Sequence, residues 1–315
     1  MAREALRKKA VSTGEKGIMK VRGGVIALFL APATLFYTVL VIYPLVYNFY
    51  LSFLRIRAVE GTIVEQWVGL RHFERIFFDD PVFIQAAGNS LTWAVASALI
   101  EIPVGVLLAI VLSRLKFLVR FFRTAWFMPV LLSYVLLGQL WSWIYRGDIG
   151  LLNALLRAIG LGSLAQPWLG QTSTALGALI VVTAWHWVGF TMVLCLAAVS
   201  SIPSELDDAA RIDGATGWRL TWDITLPLIR NTIATATILV FIGRMKIFDL
   251  VWVATRGGPL GATETVGTYI VQRAFFFGTL DQGYAAALST VWFVAIMVVS
   301  VVLNRMLWSP ERYEY

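Results

Sequence analysis

Residues 201–230 read SIPSELDDAARIDGATGWRLTWDITLPLIR and separate two long apolar runs. Pro203 has a backbone angle suited to the first turn of a helix, and Ser201 or Ser204 can accept hydrogen bonds from the free amides of that turn. Acidic residues follow where they face the positive end of the helix dipole, namely Glu205, Asp207 and Asp208. The stretch therefore predicts a helix that begins near residue 204.

The predicted helix is short. Gly214 can adopt the left-handed conformation that ends a helix, which leaves roughly ten residues, or about 15 Å of helix. Ala209 and Ala210 give this helix a face of small side chains. A second helical stretch is expected around residues 218–222, before the chain enters the next apolar run.

The apolar runs on either side reflect the composition of the whole chain. Of its 315 residues, 58% are hydrophobic and 14% are charged, against roughly 25% charged in an ordinary soluble domain. Such a chain is neither disordered nor a soluble globule, and lipid is the solvent that suits it. Six runs are long enough to cross about 30 Å of hydrocarbon as helices: Val25–Tyr43, Leu91–Leu112, Thr124–Ile144, Thr174–Val199, Ile233–Val253 and Tyr284–Leu303.

The distribution of Lys and Arg predicts the orientation of these helices. Short loops rich in Lys and Arg resist translocation and therefore collect on the cytoplasmic side. With the N-terminus inside, the inner segments hold 16 of the 26 basic residues and the outer segments hold 8, and two lie in the fifth run. Both termini are predicted to be cytoplasmic. The net charge of +7 then belongs to the inner side and indicates neither a nucleic acid nor an anionic solute.

One membrane domain is expected over residues 23–306, with a basic tail at 1–22 and a short cytoplasmic tail at 307–315. The basic tail resembles the start of a secretion signal, but the apolar run behind it is too long and lacks a small-residue cleavage site. The tail is therefore expected to set topology and to bind the membrane surface. The outer segments 55–90 and 147–173 are each expected to hold a short surface helix.

Several chemistries are excluded by the sequence. Cys195 is the single cysteine, so no internal disulfide or cysteine-based metal site can form. A GxxxxGK[ST] phosphate loop and an HExxH metal motif are both absent, and neither His72 nor His186 has a serine in a nucleophile turn to accompany it. The chain is expected to be no enzyme and to hold no cofactor of its own.

Residues 208–227 follow the pattern of a known loop. Asp208, Ala209 and Ala210 are followed by three residues, Gly214, nine residues and the sequence Ile-Thr-Leu-Pro. This order resembles the EAA loop of the permease subunits of binding-protein-dependent ABC importers. Asp208 replaces the Glu of that motif, which keeps the negative charge but shortens the side chain. The segments IPSELDDAARIDGA and KIFDLVWVATRGGPLGATETVGTYI, at 202–215 and 246–270, are similar to the carbohydrate-uptake branch, specifically its maltose-type first permease subunit.

This resemblance implies an all-α integral membrane protein with six transmembrane helices and the type I importer permease fold. It implies that the first helix of the loop is a coupling helix that docks into a cleft on a cytoplasmic ATPase. The residues assigned to that contact are Glu205, Asp207, Asp208, Ala209, Ala210, Arg211, Asp213 and Gly214. The alternative is a capped helix at the membrane surface that has no partner.

The resemblance also implies the assembly. The partners would be a second, homologous permease in a heterodimer, two ATPase subunits or a homodimer of one that bind ATP and Mg²⁺, and an external solute-binding protein. The complex would lie in a bacterial or archaeal cytoplasmic membrane and bind no nucleic acid. This chain would form half of an alternating-access path for a sugar, oligosaccharide, polyol or glycerol phosphate.

Charged residues inside the apolar runs are candidates for function. Glu101 and Arg244 lie near the middle of the second and fifth runs, where exposing a charge to lipid costs about 3 kcal/mol or more. We expect them to approach each other or to face a water-filled solute path, and structural pairing and solute contact remain alternatives. Lys246 and Asp249 are expected on one helix face near the outer half, where they pair or line the external mouth.

Trp185, His186 and Trp187 lie deep in the fourth run. Aromatic rings stack on the apolar faces of sugars while polar groups bind the hydroxyls, so this cluster suits a carbohydrate, with helix packing as the alternative. Trp141 and Trp143 are expected in the outer interfacial belt. The candidates for the solute path are thus Glu101, Trp185, His186, Trp187, Arg244 and Lys246.

A stand-alone secondary transporter is the other function considered. Six helices would be few for such a protein, and the 201–230 loop would have no explanation. It would also transport its solute on a proton or sodium gradient without ATP. The identity of the solute stays open at this level.

Overall fold

The computed structural model describes residues 23–59, 62–115, 117–276 and 281–308. The chain divides into two compact units, Met1–Tyr50 and Leu51–Tyr315. The predicted basic tail and residues 309–315 lie outside the described residues.

The elements are almost all helical. The chain begins with α1 (Gly23–Tyr37), a π-helical segment (Thr38–Ile42) and α2 (Tyr43–Leu51), which follow one another as a single apolar helix. There follow β1 (Leu54–Val59), β2 (Thr62–Trp67), α3 (Arg71–Phe78), α4 (Pro81–Arg114), α5 (Val119–Phe127), a 3₁₀ turn (Met128–Leu131), α6 (Tyr134–Ile144), α7 (Leu151–Ala158), a 3₁₀ turn (Gly162–Leu164) and α8 (Ala175–Ser200). The last part contains α9 (Ser204–Ile212), α10 (Trp218–Leu220), a π-helical segment (Thr221–Thr225), α11 (Leu226–Leu228), α12 (Arg230–Met245), α13 (Asp249–Ala254), α14 (Val266–Val271), a π-helical segment (Gln272–Phe276) and α15 (Gln282–Leu307).

The β-hairpin is absent from the all-helical prediction. Its strands pair antiparallel, with Leu54 opposite Trp67. The sequence LRIRAV alternates apolar and polar residues, as a half-buried strand requires, and Leu54 and Ile56 are buried. The surface helices expected in segments 55–90 and 147–173 are present as α3 and α7.

Among the described residues, four helices are long and apolar enough to cross a membrane: Ile26–Leu51, Pro81–Arg114, Ala175–Ser200 and Gln282–Leu307. Two further candidates are bent, by 97° between Val119–Leu131 and Tyr134–Ile144 and by 69° between Trp218–Leu228 and Arg230–Met245. Counting each bent pair as one crossing gives the six predicted. The third and fifth runs were each predicted as one helix, but the third is broken before α6 and the fifth is broken after α12.

The break in the third crossing lies between the 3₁₀ turn and α6. Ser133 caps α6, since its hydroxyl accepts the amide proton of Leu136 at 3.3 Å. The freed carbonyl of Leu132 is bonded at 3.2 Å by Nε2 of His186 on α8, and because a carbonyl only accepts, Nε2 carries the proton. Backbone groups freed within a bilayer need a protein partner, so His186 supports the bent chain.

The fifth crossing ends earlier than the predicted Ile233–Val253, because α12 stops at Met245 and α13 is a separate helix. Side chains distant in sequence bond the carbonyls at this break. Trp292 Nε1 donates to the Met245 carbonyl at 2.8 Å, and the Thr265 hydroxyl donates to the Ile247 carbonyl at 3.0 Å. These bonds make an interrupted helix acceptable in an apolar environment.

The break also overturns the expectation for Lys246 and Asp249. Lys246 follows the last residue of α12 and Asp249 begins α13, so the two do not share one helix face. Both are exposed, and no ion pair joins them in the part of the chain that the structure describes.

Small residues set the close packing of α8 against its neighbours. A Cβ atom placed on Gly105 of α4 would lie 2.6 Å from Cγ2 of Thr191 on α8. A Cβ atom placed on Gly189 of α8 would overlap the carbonyl oxygen of Trp126 on α5. Glycine at both positions lets the backbones approach, as is common between membrane helices.

Gly189→Ala should destabilise the protein. The added methyl group meets a backbone carbonyl, which cannot turn away as a side chain would, so we expect a loss of about 1–3 kcal/mol and a clear fall in Tm. The measurement is thermal unfolding of the purified protein in detergent. Gly177→Ala on the same helix is the matched control, because no atom lies within 4 Å of its added Cβ. A Gly189→Ala protein as stable as the Gly177→Ala protein would contradict this packing.

Candidate functional site

The predicted helix in the 201–230 loop is α9, which has nine residues. Gly214 adopts φ +84°, the left-handed conformation expected of it. The Ala215 amide then donates to the Ala210 carbonyl at 2.8 Å, which is the six-to-one bond of a Schellman ending. The helix is therefore closed by a rigid turn, and the chain leaves it in a fixed direction.

Most of the residues assigned to the coupling contact face solvent. The exposed ones are Glu205, Asp208, Ala209, Asp213 and Gly214, while Asp207 is half-buried and the Arg211 side chain lies outside the described part of the chain. Ile212 is 87% exposed, which is unusual for an apolar side chain on a polar helix. Ala210 is 5% exposed and packs into this chain, so Ala209 alone represents the expected small-residue face at the surface.

A cavity of about 500 Å³ lies beside α9. Its walls come from the end of α4, the end of α8, α9 and the segment 220–225. The lining includes Ser113, Arg114, Ser200, Asp207, Leu220 and Thr225. On this side, α9 is therefore not packed tightly against the ends of α4 and α8.

A second polar site lies in the middle of the spans. Arg244 on α12 donates to Glu101 on α4 through Nε at 2.9 Å and through Nη2 to both carboxylate oxygens at 2.8 and 2.9 Å. Their side chains are 3% and 0% exposed. Arg244 Nη1 also donates to the Tyr134 hydroxyl at 2.9 Å, and Trp187 Nε1 donates to the same hydroxyl at 2.6 Å. The prediction that Glu101 and Arg244 approach each other is confirmed, and their contact is a buried, bidentate ion pair.

Tyr134 is the member of this site that the sequence interpretation missed. It is the first residue of α6, so the break in the third crossing is what brings its hydroxyl to Arg244. Pro129 and Ser133, a helix-breaking residue and a helix-capping residue inside an apolar run, are the signals that point to this break.

The three consecutive residues of the predicted aromatic cluster have different environments. His186 is 2% exposed and bonds the Leu132 carbonyl, and Trp187 is half-buried against Tyr134. Trp185 is 38% exposed and packs edge-on against Trp141, with ring centroids 5.7 Å apart. Of the three, Trp185 alone presents a large exposed ring face.

A buried polar network holds the N-terminal ends of α4 and α15. The Asp80 carboxylate caps α4 by accepting the Phe83 amide at 3.1 Å, and it accepts the hydroxyls of Tyr269 and Tyr284. Arg273 Nε donates to the Tyr269 hydroxyl at 2.9 Å. Burial raises the pKa of Asp80, but these hydrogen bonds outweigh it and hold the pKa below its usual value. The network ties α4, α14 and α15 at the end predicted to be external.

The nearby turn 256–261 is braced against α4. Gly257 and Gly261 adopt φ +87° and +78°, left-handed conformations that glycine adopts without steric cost. Gln85 and Asn89 both donate to the Gly261 carbonyl, at 3.0 and 3.2 Å. Leu260 at the tip is 92% exposed.

Comparison with known proteins places these features in a family. Residues 101–308 match the family described as "Binding-protein-dependent transport system inner membrane component". The chain is 36% identical over 279 residues to the probable ABC transporter permease protein YurN of Bacillus subtilis, covering 87% of this chain and 92% of YurN. It is 31% identical over 280 residues to the arabinooligosaccharides transport system permease protein AraP of the same organism, covering 87% and 86%.

A solved structure has the same fold. It is a bacterial alginate ABC transporter in complex with an alginate pentasaccharide-bound periplasmic protein. The TM-score is 0.78 at 24% sequence identity, with 90% of this chain and 93% of the other covered.

Glu101→Ala should be strongly destabilising. It leaves the Arg244 guanidinium buried without its counter-charge, which costs about 3–5 kcal/mol. The double variant Glu101→Ala, Arg244→Ala removes both charges and should be less destabilised than the sum of the single variants. The measurement is a double-mutant cycle of thermal unfolding in detergent. Arg146→Ala is the control, since its ion pair with Asp148 is exposed and should contribute no measurable stability. Additive effects at Glu101 and Arg244 would contradict the coupling.

Proposed function

Because this chain belongs to the family of inner membrane components of binding-protein-dependent transport systems, we propose that it is a permease subunit of an ATP-driven importer for a sugar or sugar-like solute. It has the type I importer permease fold and is a transport component rather than a catalyst. Its proposed location is a bacterial or archaeal cytoplasmic membrane, with both termini in the cytoplasm.

The observation that carries this proposal is the form of α9. A nine-residue helix stands between two membrane crossings, ends in a rigid left-handed turn and exposes Leu206, Ala209 and Ile212 beside acidic residues. A helix at the lipid surface also uses an apolar face, but it needs no fixed exit direction. A short rigid helix that fits a protein cleft needs both features, so α9 is the proposed coupling helix.

The proposed partners follow from that role. An ATPase dimer binds ATP and Mg²⁺ and takes α9 of this chain into a cleft on one of its subunits. A second, homologous permease completes the solute path, and an external solute-binding protein delivers the solute to the opposite face. Closure of the ATPase dimer on ATP moves the coupling helices and exchanges access from outside to inside.

The proposed solute path runs near the mid-span site. Glu101 and Arg244 are buried against each other and against Tyr134. They are therefore proposed to stabilise the wall of the path from behind and not to contact the solute. Trp185 is the residue of the predicted aromatic cluster best placed to offer a ring face to a sugar. The Tyr134 hydroxyl accepts two hydrogen bonds and keeps its own proton to donate. His186 and Trp187 position these groups, and Lys246 lies at the exposed end of α12.

The solute class is proposed from two sources. The name of AraP assigns arabinooligosaccharides to a relative that covers 87% of this chain. The exposed Trp185 beside Trp141 is a surface on which a pyranose ring can stack. An oligosaccharide, disaccharide, polyol or glycerol phosphate fits this proposal.

Substitutions at Gly214 test the coupling helix. The backbone at this position has φ +84°, and no atom lies within 4 Å of an added Cβ. A substitution therefore acts through the backbone conformation and not through a steric clash. Asn tolerates the left-handed region, whereas this conformation destabilises Ala by about 1 kcal/mol and a β-branched residue by more. We expect uptake to be highest in Gly214→Asn, lower in Gly214→Ala and lowest in Gly214→Val. The measurements are retention of the ATPase in the purified complex and solute uptake into proteoliposomes.

Gly243→Ala is the matched control, because this glycine has an ordinary φ and no neighbour within 4 Å of its added Cβ. It should leave uptake unchanged. Full uptake with an attached ATPase in Gly214→Val would remove the coupling assignment.

The solute class is tested by ATP hydrolysis. The purified complex in proteoliposomes should hydrolyse ATP several-fold faster when its binding protein is loaded, and a panel of mono-, di- and oligosaccharides, polyols and glycerol phosphates identifies the solute. Stimulation by amino acids or inorganic ions in place of every member of this panel would refute the carbohydrate assignment.

A further inference from the structure

Arg114, the last residue of α4, is bonded to the loop that follows α9. Its Nη2 donates to the carbonyl of Gly217 at 3.3 Å and to the hydroxyl of Thr221 at 2.5 Å. The Thr221 hydroxyl in turn donates to the Gly217 carbonyl at 3.3 Å. Arg114, Gly217 and Thr221 are thus joined to one another by three hydrogen bonds, which connect the end of α4 to the residues on either side of α10.

This contact gives the loop a second route into the membrane. The covalent route leads from α9 through α10 and α11 into α12, which carries Arg244. The route through Arg114 leads into α4, which carries Glu101 thirteen residues earlier, or about 20 Å along the helix. The two routes meet again at the buried Glu101–Arg244 pair.

The covalent route is poorly suited to transmit a movement alone. It contains a π-helical segment at Thr221–Thr225 and a bend of 69° before α12. π-Helical segments and bends are places where a helix can deform. The cavity of about 500 Å³ beside α9 leaves room for the loop to move relative to the ends of α4 and α8.

Arg114 lies at the wall of that cavity and bridges the loop to α4. Its two acceptors belong to the residue before α10 and to the first residue of the π-helical segment. A link at this point holds the deformable segment to a continuous helix of 34 residues.

We propose that Arg114 is a positioning residue for transport, which makes α4 move with the coupling loop so that the ATPase moves α4 and α12 as one body. This inference rests on the proposed function of α9. The Arg114 contact converts a movement of the loop into a joint movement of the two helices whose buried charges must stay together.

The test separates coupling from assembly. Arg114→Met removes both hydrogen bonds, and Thr221→Val removes one acceptor while keeping the shape of the side chain. We expect each variant to keep its ATPase and its basal hydrolysis but to lose at least tenfold in solute taken up per ATP hydrolysed. Arg114→Lys keeps the charge and one donor group and should recover part of the loss.

Arg120→Met is the matched control. Arg120 is an exposed arginine on the neighbouring α5, with no hydrogen bond or ion pair among the described residues. Its uptake per ATP should equal that of the unmodified complex. The double variant Arg114→Met, Thr221→Val should lose no more than Arg114→Met alone. Normal coupling in Thr221→Val, or additive losses in the double variant, would overturn the proposal.

A distance measurement tests the joint movement directly and does not depend on activity. Spin labels at Val111→Cys and Arg219→Cys, both exposed positions, can be placed in a Cys195→Ala chain. The mean distance between the two labels should be the same in the nucleotide-free and ATP-trapped complexes. In Thr221→Val, the distribution of distances should become broader. A change of several ångströms in the unmodified loop would refute joint movement. If the ATPase fails to bind the unmodified complex at all, the proposed function of α9 fails instead.

Discussion

Arg244 imposes the constraint on which the arrangement of the crossings depends. Its guanidinium is charged, buried and placed in a helix that crosses an apolar medium, where it cannot be solvated by water. Glu101 on α4 supplies the counter-charge with both carboxylate oxygens, and Tyr134 on α6 takes a further N–H group. Three separate segments are therefore fixed around one side chain, since a displacement of any of them leaves a buried donor or charge unpaired.

The same physical rule explains the two broken crossings. A helix satisfies its own backbone groups, and a break frees carbonyls that lipid cannot bond. At the break before α6, His186 bonds the carbonyl of Leu132, and at the break after α12, Trp292 bonds the carbonyl of Met245. In the aromatic cluster, His186 thus bonds the backbone and Trp187 bonds Tyr134, which leaves Trp185 as the member proposed to offer its ring to a sugar.

The loop at 201–230 and the mid-span site are parts of one structure rather than two separate sites. α12 connects them covalently, and α4 connects them through its last residue, Arg114, at the loop and through Glu101, in its interior, at the ion pair. Under the proposed function, this arrangement connects the loop proposed to contact an ATPase to the ion pair proposed to support the wall of the solute path. The polar network around Asp80 fixes the opposite end of α4, so this helix is bonded at its start, its middle and its end.

The sequence by itself determined the membrane class, the number of crossings, the short helix that is ended by Gly214 and the family resemblance, because apolar length and left-handed glycines are local properties. It also indicated that Glu101 and Arg244 either meet or face a water-filled path, because a charge exposed to lipid is costly, and the structure shows that they meet. Tertiary structure alone decided which groups bond the carbonyls freed at the breaks in the third and fifth crossings, since His186 and Trp292 lie far away in sequence. It likewise decided that Ala210 is buried, that Lys246 and Asp249 are separated, and that Arg114 reaches the loop, because each depends on which distant backbone comes close.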